Sequence, residues 1–290
     1  MRRTGNPRTG SATAGRPKEY VKFWRDPVLR DLEMLHATYI HHAFSRHAHE
    51  GFGIAIVQSG AMAFEYRGAM HIAPAGSVVV TQPGEMHTGQ ACKETGWTYR
   101  TLLPASEWLQ QAAKELSNRP SPLPYFSAPV IHDARLNQQL VALHKTLESS
   151  PSALERESRF LWGLAQLIRG YASDRPTTQP VGKEQSSVQT VREYLRANYS
   201  QNISLYELSR LVALKPLRLL RVFKAAVGLP PHAYLNHVRV FEAKRLLLAG
   251  WSITDAAVET GFVDQSHLHR HFKRIVGVTP GQYVKGCQQR

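Results

Sequence analysis

The last third of the chain writes one small structural unit twice. Ser204, Leu205, Tyr206, Glu207 and Leu208 are matched by Ser252, Ile253, Thr254, Asp255 and Ala256. Beyond them, Leu219, Arg221, Phe223, Lys224, Val227, Gly228, Pro231 and Tyr234 recur in the same order as Leu268, Arg270, Phe272, Lys273, Val276, Gly277, Pro280 and Tyr283. Such a repeat implies two copies of one supersecondary unit. In the second copy, Ile253, Ala256 and Ala257 give a short helix a small apolar face, Gly261 supplies a left-handed turn, and Asp264 caps a following helix. Leu268, Phe272 and Ile275 recur at helical spacing on the buried side of that helix, opposite Gln265, His269, Arg270, Lys273 and Arg274. A short helix, a glycine turn and a second helix with a basic, amide-bearing outer face can lay that second helix in a DNA major groove. An ordinary helical hairpin with a solvated basic face would explain one copy. Two in series are harder to explain that way.

The stretches Leu219–Lys224, Gly228–Leu235, Gly261–Phe262, Ser266–Lys273 and Gly277–Tyr283 resemble the DNA-binding domain of the AraC/XylS family of bacterial transcription regulators, over about residues 187–286. The resemblance implies base contacts by Gln265, Ser266, His269 and Arg270, and in the first unit by Leu217, Leu220 and Arg221, with Arg218 nearby. Arginine pairs with guanine and glutamine with adenine, each bidentate contact being worth about 1–3 kcal/mol of discrimination. Leu217 and Leu220 offer only an apolar surface to a thymine methyl. Lys224, Lys273 and Arg274 are assigned to phosphates. Lys215 departs from the family, where a capping serine is common; the lost cap costs about 1 kcal/mol. Ser204 and Glu207 form a capping box, and Pro216 suits a first helical turn. A supporting helix is expected around Val188, Val191 and Leu195. A long helix from Pro231 to about Ala249 should link the units rigidly, holding the recognition helices roughly 34 Å apart on one DNA face.

Charge follows the same division. The 290 residues carry a net charge of +14, of which residues 183–290 hold +9, residues 1–19 hold +4 and residues 20–182 only +1. A basic half joined to a neutral one fits double-stranded DNA as the partner of the former. The two cysteines make neither a disulfide framework nor a metal-finger spacing. The chain lacks a long apolar run, so a soluble, cytoplasmic protein with no membrane partner is expected.

The organisation expected is a disordered basic tail over 1–19, a β-barrel over 20–132, a helical region over 133–172 that the family resemblance implies is for dimerisation, a linker over 173–187 and the DNA-binding domain over 188–290. Apolar or alternating segments at Phe52–Val57, Ala61–Tyr66, Ser77–Thr81 and Trp97–Leu103, separated by Gly and Pro turns, argue for a small barrel or jelly roll. Residues 104–132, with Pro120, Pro122, Pro124 and Pro129, read as irregular. Leu136, Leu140, Leu143 and Leu147, then Phe160, Leu164, Leu167 and Tyr171, mark two helices. The fold class is therefore α+β, a barrel with a helical hairpin followed by an all-α domain with two helix-turn-helix motifs.

Residues two apart on a strand face one side, so His47 and His49 can point together, with His87 meeting them from a neighbouring turn. This half resembles the cupin-like effector domain of the same family, over roughly residues 30–105, which implies a small-molecule pocket. His47, His49 and His87 are expected to hydrogen-bond a polar effector such as an amino acid or organic acid, with Glu85 and Trp97 as secondary candidates. A cupin metal site usually adds a carboxylate a few residues after the second histidine, and Gly51 to Ala55 contain none. No metal and no cofactor are expected. Neither a nucleotide-binding glycine loop nor a nucleophile elbow occurs, so no catalytic residue is assigned. The expectation is a DNA-binding transcription activator, acting as a homodimer with RNA polymerase. Its alternative is a metal-dependent cupin-type enzyme fused to a DNA-binding module.

Overall fold

The computed structural model describes residues 18–30, 32–117, 122–174 and 184–288. Most of the expected tail and linker lie outside them. Strand β1 (Tyr20–Asp26) pairs antiparallel with β2 (Leu32–Tyr39) through a turn at Pro27–Leu29. Asp26 caps that turn, its carboxylate accepting from the amides of Val28 and Leu29 at 3.0 and 3.2 Å. The remaining strands are β3 (Phe44–His47), β4 (Gly53–Tyr66), β5 (Ala69–Pro74), β6 (Ser77–Thr81), β7 (His87–Ala91), β8 (Trp97–Leu103) and β9 (Val130–His132).

The expected cupin-like barrel does not form. The hydrogen-bonded path runs β1-β2-β8-β4-β6-β9 and stops, with β1 and β9 unpaired to each other; β5 and β7 branch from β4, and β3 pairs only with β7. Helices cover the face that strand closure would otherwise have to seal. Val78 and Val80 of β6, Ile54 and Ile56 of β4 and Leu102 of β8 enter a core shared with helices, whereas Val79, Met62, Phe64 and Tyr99 belong to a second core on the opposite side. A second departure concerns Ser59 and Gly60, expected to separate two strands. They lie inside the single strand β4, where the pairing with β8 shifts register between Val57 and Ser59. Such a bulge bends a strand without ending it. Gly60 is obligatory there: its φ is +69°, and a Cβ would stand 2.1 Å from the carbonyl oxygen of Gly96.

Contrary to the irregular segment expected over 104–132, residues 106–117 form helix α1 (Ser106–Ser117), which buries Trp108, Leu109, Ala112, Ala113 and Leu116. The two expected helices are α2 (Ala134–Ser149), capped by Asp133, and α3 (Ala153–Tyr171), capped by Ser152. Their apolar stripes bury within this chain; Leu140, Leu143, Phe160 and Leu164 are each 3% exposed or less. Arg100 of β8 fastens α2 to the sheet, donating to Gln58 Oε1 (3.1 Å), Glu148 (3.0 Å) and His144 Nδ1 (2.8 Å). Because a guanidinium only donates, His144 carries its proton on Nε2, facing the Thr101 carbonyl at 3.3 Å. Burial, with the neighbouring arginine charge, lowers this imidazole to about 3, which keeps it neutral.

The C-terminal half is all helical: α4 (Gln185–Ala197), α5 (Leu205–Leu211), α6 (Pro216–Val227), α7 (Pro231–Leu248), α8 (Ile253–Glu259), α9 (Gln265–Val276) and α10 (Pro280–Gln288). Both capping interactions of the Ser204–Glu207 box are present. Gly228 and Gly277 end α6 and α9 in the left-handed conformation. The turn before α9 has Gly261 at φ +79°, and the matching turn before α6 has Ala213 at φ +51°. One continuous core runs from the sheet through α1 and α3 to α5, α6 and Leu235 of α7. A separate core holds the second repeat, including Val240, Ala256, Phe262, Leu268 and Phe272.

Candidate functional site

Two regions carry chemistry. The first is a cavity of about 160 Å³ between the two groups of strands, bordered by Leu35, Phe44, Met62, Phe64, Val79 and Tyr99, with Thr81 and Thr88. His47, His49 and His87 stand together at this cavity. Their ring centroids are 4.4 Å apart for His47 and His87, and 5.1 Å from each of these to His49. Strand alternation is not what gathers them. His47 is the last residue of β3 and His49 lies beyond the strand's end, while the β3–β7 pairing sets His47 directly opposite His87. Burial and the two other imidazoles lower His49 to about 4; burial lowers His87 in the same direction. Both are therefore neutral near pH 7.

Glu85 and Trp97 are not brought to the cavity. The Glu85 carboxylate accepts from the Tyr66 hydroxyl and from Arg67 Nε at 2.8 Å, a structural cluster behind the histidines. Trp97 is 1% exposed and packs between Tyr39 and Tyr99. The cavity residues Phe44, Met62, Phe64 and Tyr99 were not singled out from the sequence. Alternation on β4 and β8 was the available signal for Met62, Phe64 and Tyr99; Phe44, on the short β3, carried none.

The second region is the outer face of the repeat domain. On α9, Gln265, Ser266, His269, Arg270, Lys273 and Arg274 are all exposed, while Leu268 and Phe272 are completely buried. Asp264 holds the helix start, accepting from the His267 amide at 2.7 Å. His267 and His271 lie on the inner side, their Nε2 atoms 3.1 Å apart. The matching helix α6 is placed differently. Leu217 and Leu220 are 1% and 2% exposed, and Arg221 is half-buried. Arg218 is ion-paired to Glu184 at 2.7 Å, and Lys224 remains exposed with its ammonium 4.4 Å from the Trp162 ring of α3.

What covers α6 is the N-terminal half. Lys215, the N-cap residue, makes no side-chain capping bond. Glu115 of α1 supplies the missing cap from another domain, its Oε2 accepting from the Leu217 amide at 2.7 Å. Glu157 of α3 likewise accepts from the Leu205 amide at the start of α5, at 2.6 Å. Burial raises both carboxyls, Glu157 to about 7. The first helix-turn-helix unit is thus docked on α1 and α3 by two carboxylates that sequence reading did not single out. Nothing local marks them, since their amide partners lie 102 and 48 residues away.

Comparison with known proteins agrees with this division. A profile of the AraC-like ligand binding domain matches residues 30–164, and one of a helix-turn-helix domain matches residues 208–286. An uncharacterized HTH-type transcriptional regulator of Bacillus subtilis, YbfI, is 33% identical over 225 residues, 78% of this chain and 81% of its own. The HTH-type transcriptional activator RhaS of Pectobacterium carotovorum is 28% identical over 254 residues, 82% of this chain and 86% of its own. Among solved structures, a probable AraC family transcriptional regulator from Rhodopseudomonas palustris is 27% identical, covers 34% of this chain and 95% of its own, and superposes with a TM-score of 0.33.

The chain belongs to the AraC/XylS family of transcriptional regulators. It is a sequence-specific DNA-binding regulator with an N-terminal ligand-sensing domain, and its relatives and matched domains are regulators rather than enzymes. The alternative of a fused metalloenzyme therefore falls. Among the described residues no helix is long and apolar enough to cross a membrane.

Proposed function

We propose that this protein is a cytoplasmic transcription activator whose first DNA-reading helix is withheld until a small effector occupies the cavity beside His47, His49 and His87. The observation that carries the reading is the contrast between the two repeats: α9 presents its polar face to solvent, and α6 turns Leu217 and Leu220 into the core shared with α1 and α3. In this reading Gln265, Ser266, His269 and Arg270 read bases, with Lys273 and Arg274 on phosphates. Release of α6 adds Leu217, Arg218, Leu220 and Arg221 to base contact and Lys224 to phosphate. The effector has a polar or anionic head for the imidazoles, such as that of an amino acid or organic acid, and an apolar body for Phe44, Phe64 and Met62.

The activator works with RNA polymerase as a homodimer. The dimer uses surfaces other than the α2 and α3 leucine stripes, which are spent inside the chain.

Selection of duplexes from a random pool by the full-length protein supplies the operator for testing this reading. Arg270→Ala should relax preference at one base position, by about 1–3 kcal/mol for a bidentate contact. Lys273→Ala should weaken all duplexes alike and flatten the salt dependence. Equal losses for Arg270→Ala on selected and random duplexes refute the base-reading assignment.

A further inference from the structure

We infer that His47, His49 and His87 form a binding site for one borderline divalent transition ion of the Zn²⁺ type, with its open coordination positions facing the apolar cavity. One ring nitrogen from each of the three lies within 4.8 Å of the other two. Imidazole nitrogens on one tetrahedral ion at 2.0–2.1 Å stand up to about 3.4 Å apart, so modest side-chain rotation closes the set. His47 and His87 are already held in the tautomer a metal needs. His47 Nδ1 lies 2.8 Å from the Ser45 carbonyl oxygen, and His87 Nδ1 lies 3.1 Å from that of Glu85. A carbonyl only accepts, so each Nδ1 carries the proton and each Nε2 keeps its lone pair. Imidazole anchored to a carbonyl through its other nitrogen is the usual outer-shell support of a metal-bound histidine. Among the described residues, no hydrogen-bond partner holds either Nε2 or the ring of His49.

Two Nε2 lone pairs held beside a third imidazole, which has no other partner among the described residues and can turn its own lone pair to meet them, fit a cation. The missing carboxylate, which on sequence grounds spoke against a metal, instead sets the charge of the site. Three neutral ligands bring no charge of their own to the ion, and among the described residues no carboxylate joins the cluster. The open positions therefore favour an anionic oxygen donor, with its apolar body lying against Phe44, Met62 and Phe64. The inference rests on the cavity being the sensory site, and it makes the ion the group that recognises the effector's head.

The test uses tag-free, full-length protein stripped by a chelator and titrated with Zn²⁺ in equilibrium dialysis, and with Co²⁺ followed by visible absorption. One ion per chain is expected, with a visible Co²⁺ spectrum of low-coordinate nitrogen ligation. His47→Ala, His49→Gln and His87→Ala should each weaken binding by more than the roughly 10–100-fold that loss of an outer-shell partner costs. His267→Ala, which removes a different histidine pair, should leave it unchanged. The wild-type chain provides a second readout independent of folding in the variants. Zn²⁺ should protect His47, His49 and His87 from diethylpyrocarbonate modification mapped by mass spectrometry. Absence of binding below millimolar Zn²⁺, or protection confined to His267 and His271 or to the exposed His41 and His42, overturns the assignment. If the ion binds at the three histidines but no anionic ligand alters DNA affinity, the metal site stands and the sensory reading fails. If an organic ligand alters DNA affinity of the metal-free chain and no ion binds, the reverse holds.

Discussion

Glu115 offers the sharpest probe of the docked arrangement, because its partner is an amide at the start of the helix it withholds. In the docked state its carboxylate accepts from the Leu217 amide at 2.7 Å, and Leu217 is 1% exposed. Removing the carboxylate leaves that donor without its acceptor in the docked state. Once α6 is released, water satisfies the same amide, so the loss falls on the docked state alone. A hydrogen bond to a charged group contributes about 1.5–3 kcal/mol net, or roughly a 10–150-fold change in the docking equilibrium. Desolvation, which raises this carboxyl above its ordinary value, places the expectation in the lower part of that range. Glu115→Gln keeps an acceptor and should lose less than Glu115→Ala. Hydrogen–deuterium exchange reads the effect directly: peptides covering residues 216–221 should lose protection by about the same factor, while the β4–β8 pairing keeps its own. Affinity for the selected operator without effector should rise in parallel. Unchanged protection, or increased protection from relief of the buried charge, would refute the reasoning.

Docking should also depend on pH through Glu157. Burial raises its carboxyl from 4.5 to about 7 when docked, so the docked state holds the proton more tightly than a released, solvated one. That contribution is complete below about pH 4.5 and is lost as pH rises through about 7; protection of α5 and α6, corrected for intrinsic exchange, should fall across this window. Glu157→Gln should flatten the dependence, and an unaltered profile in that variant would assign it elsewhere. Gly261 should tolerate no side chain, because φ is +79° and a Cβ would meet the Ser200 carbonyl oxygen at 2.5 Å. Gly261→Ala should destabilise the second repeat by more than the roughly 1 kcal/mol gained at a compatible glycine, seen as an earlier urea transition. An unchanged midpoint would show that the turn relaxes.

Local periodicity made much of the chain legible. The repeat of Ser204–Tyr234 in Ser252–Tyr283 located both helix-turn-helix units, and the α2 and α3 stripes marked their helices to within a few residues. Helix α1 carries helical spacing in Trp108, Leu109, Ala112, Ala113 and Leu116, but the prolines that follow it mask that local signal. The spacing of strands and turns predicts a barrel, but a number of strands says nothing about whether the last one pairs with the first.

The sequence by itself determined what short-range rules govern: the two helix-turn-helix units, the Ser204–Glu207 capping box and the Asp264 cap, the outer face of α9, the uneven charge and helices α2 and α3. Tertiary structure alone decided the rest. The β3–β7 register, rather than strand alternation, set His47 against His87. Helices covering one face left the sheet open. Lys215, which leaves α6 uncapped in its own domain, proved to have its cap in Glu115 of another, 102 residues from the amide it serves. Such contacts join residues distant in the chain, and their energies depend on burial and geometry that no local pattern encodes.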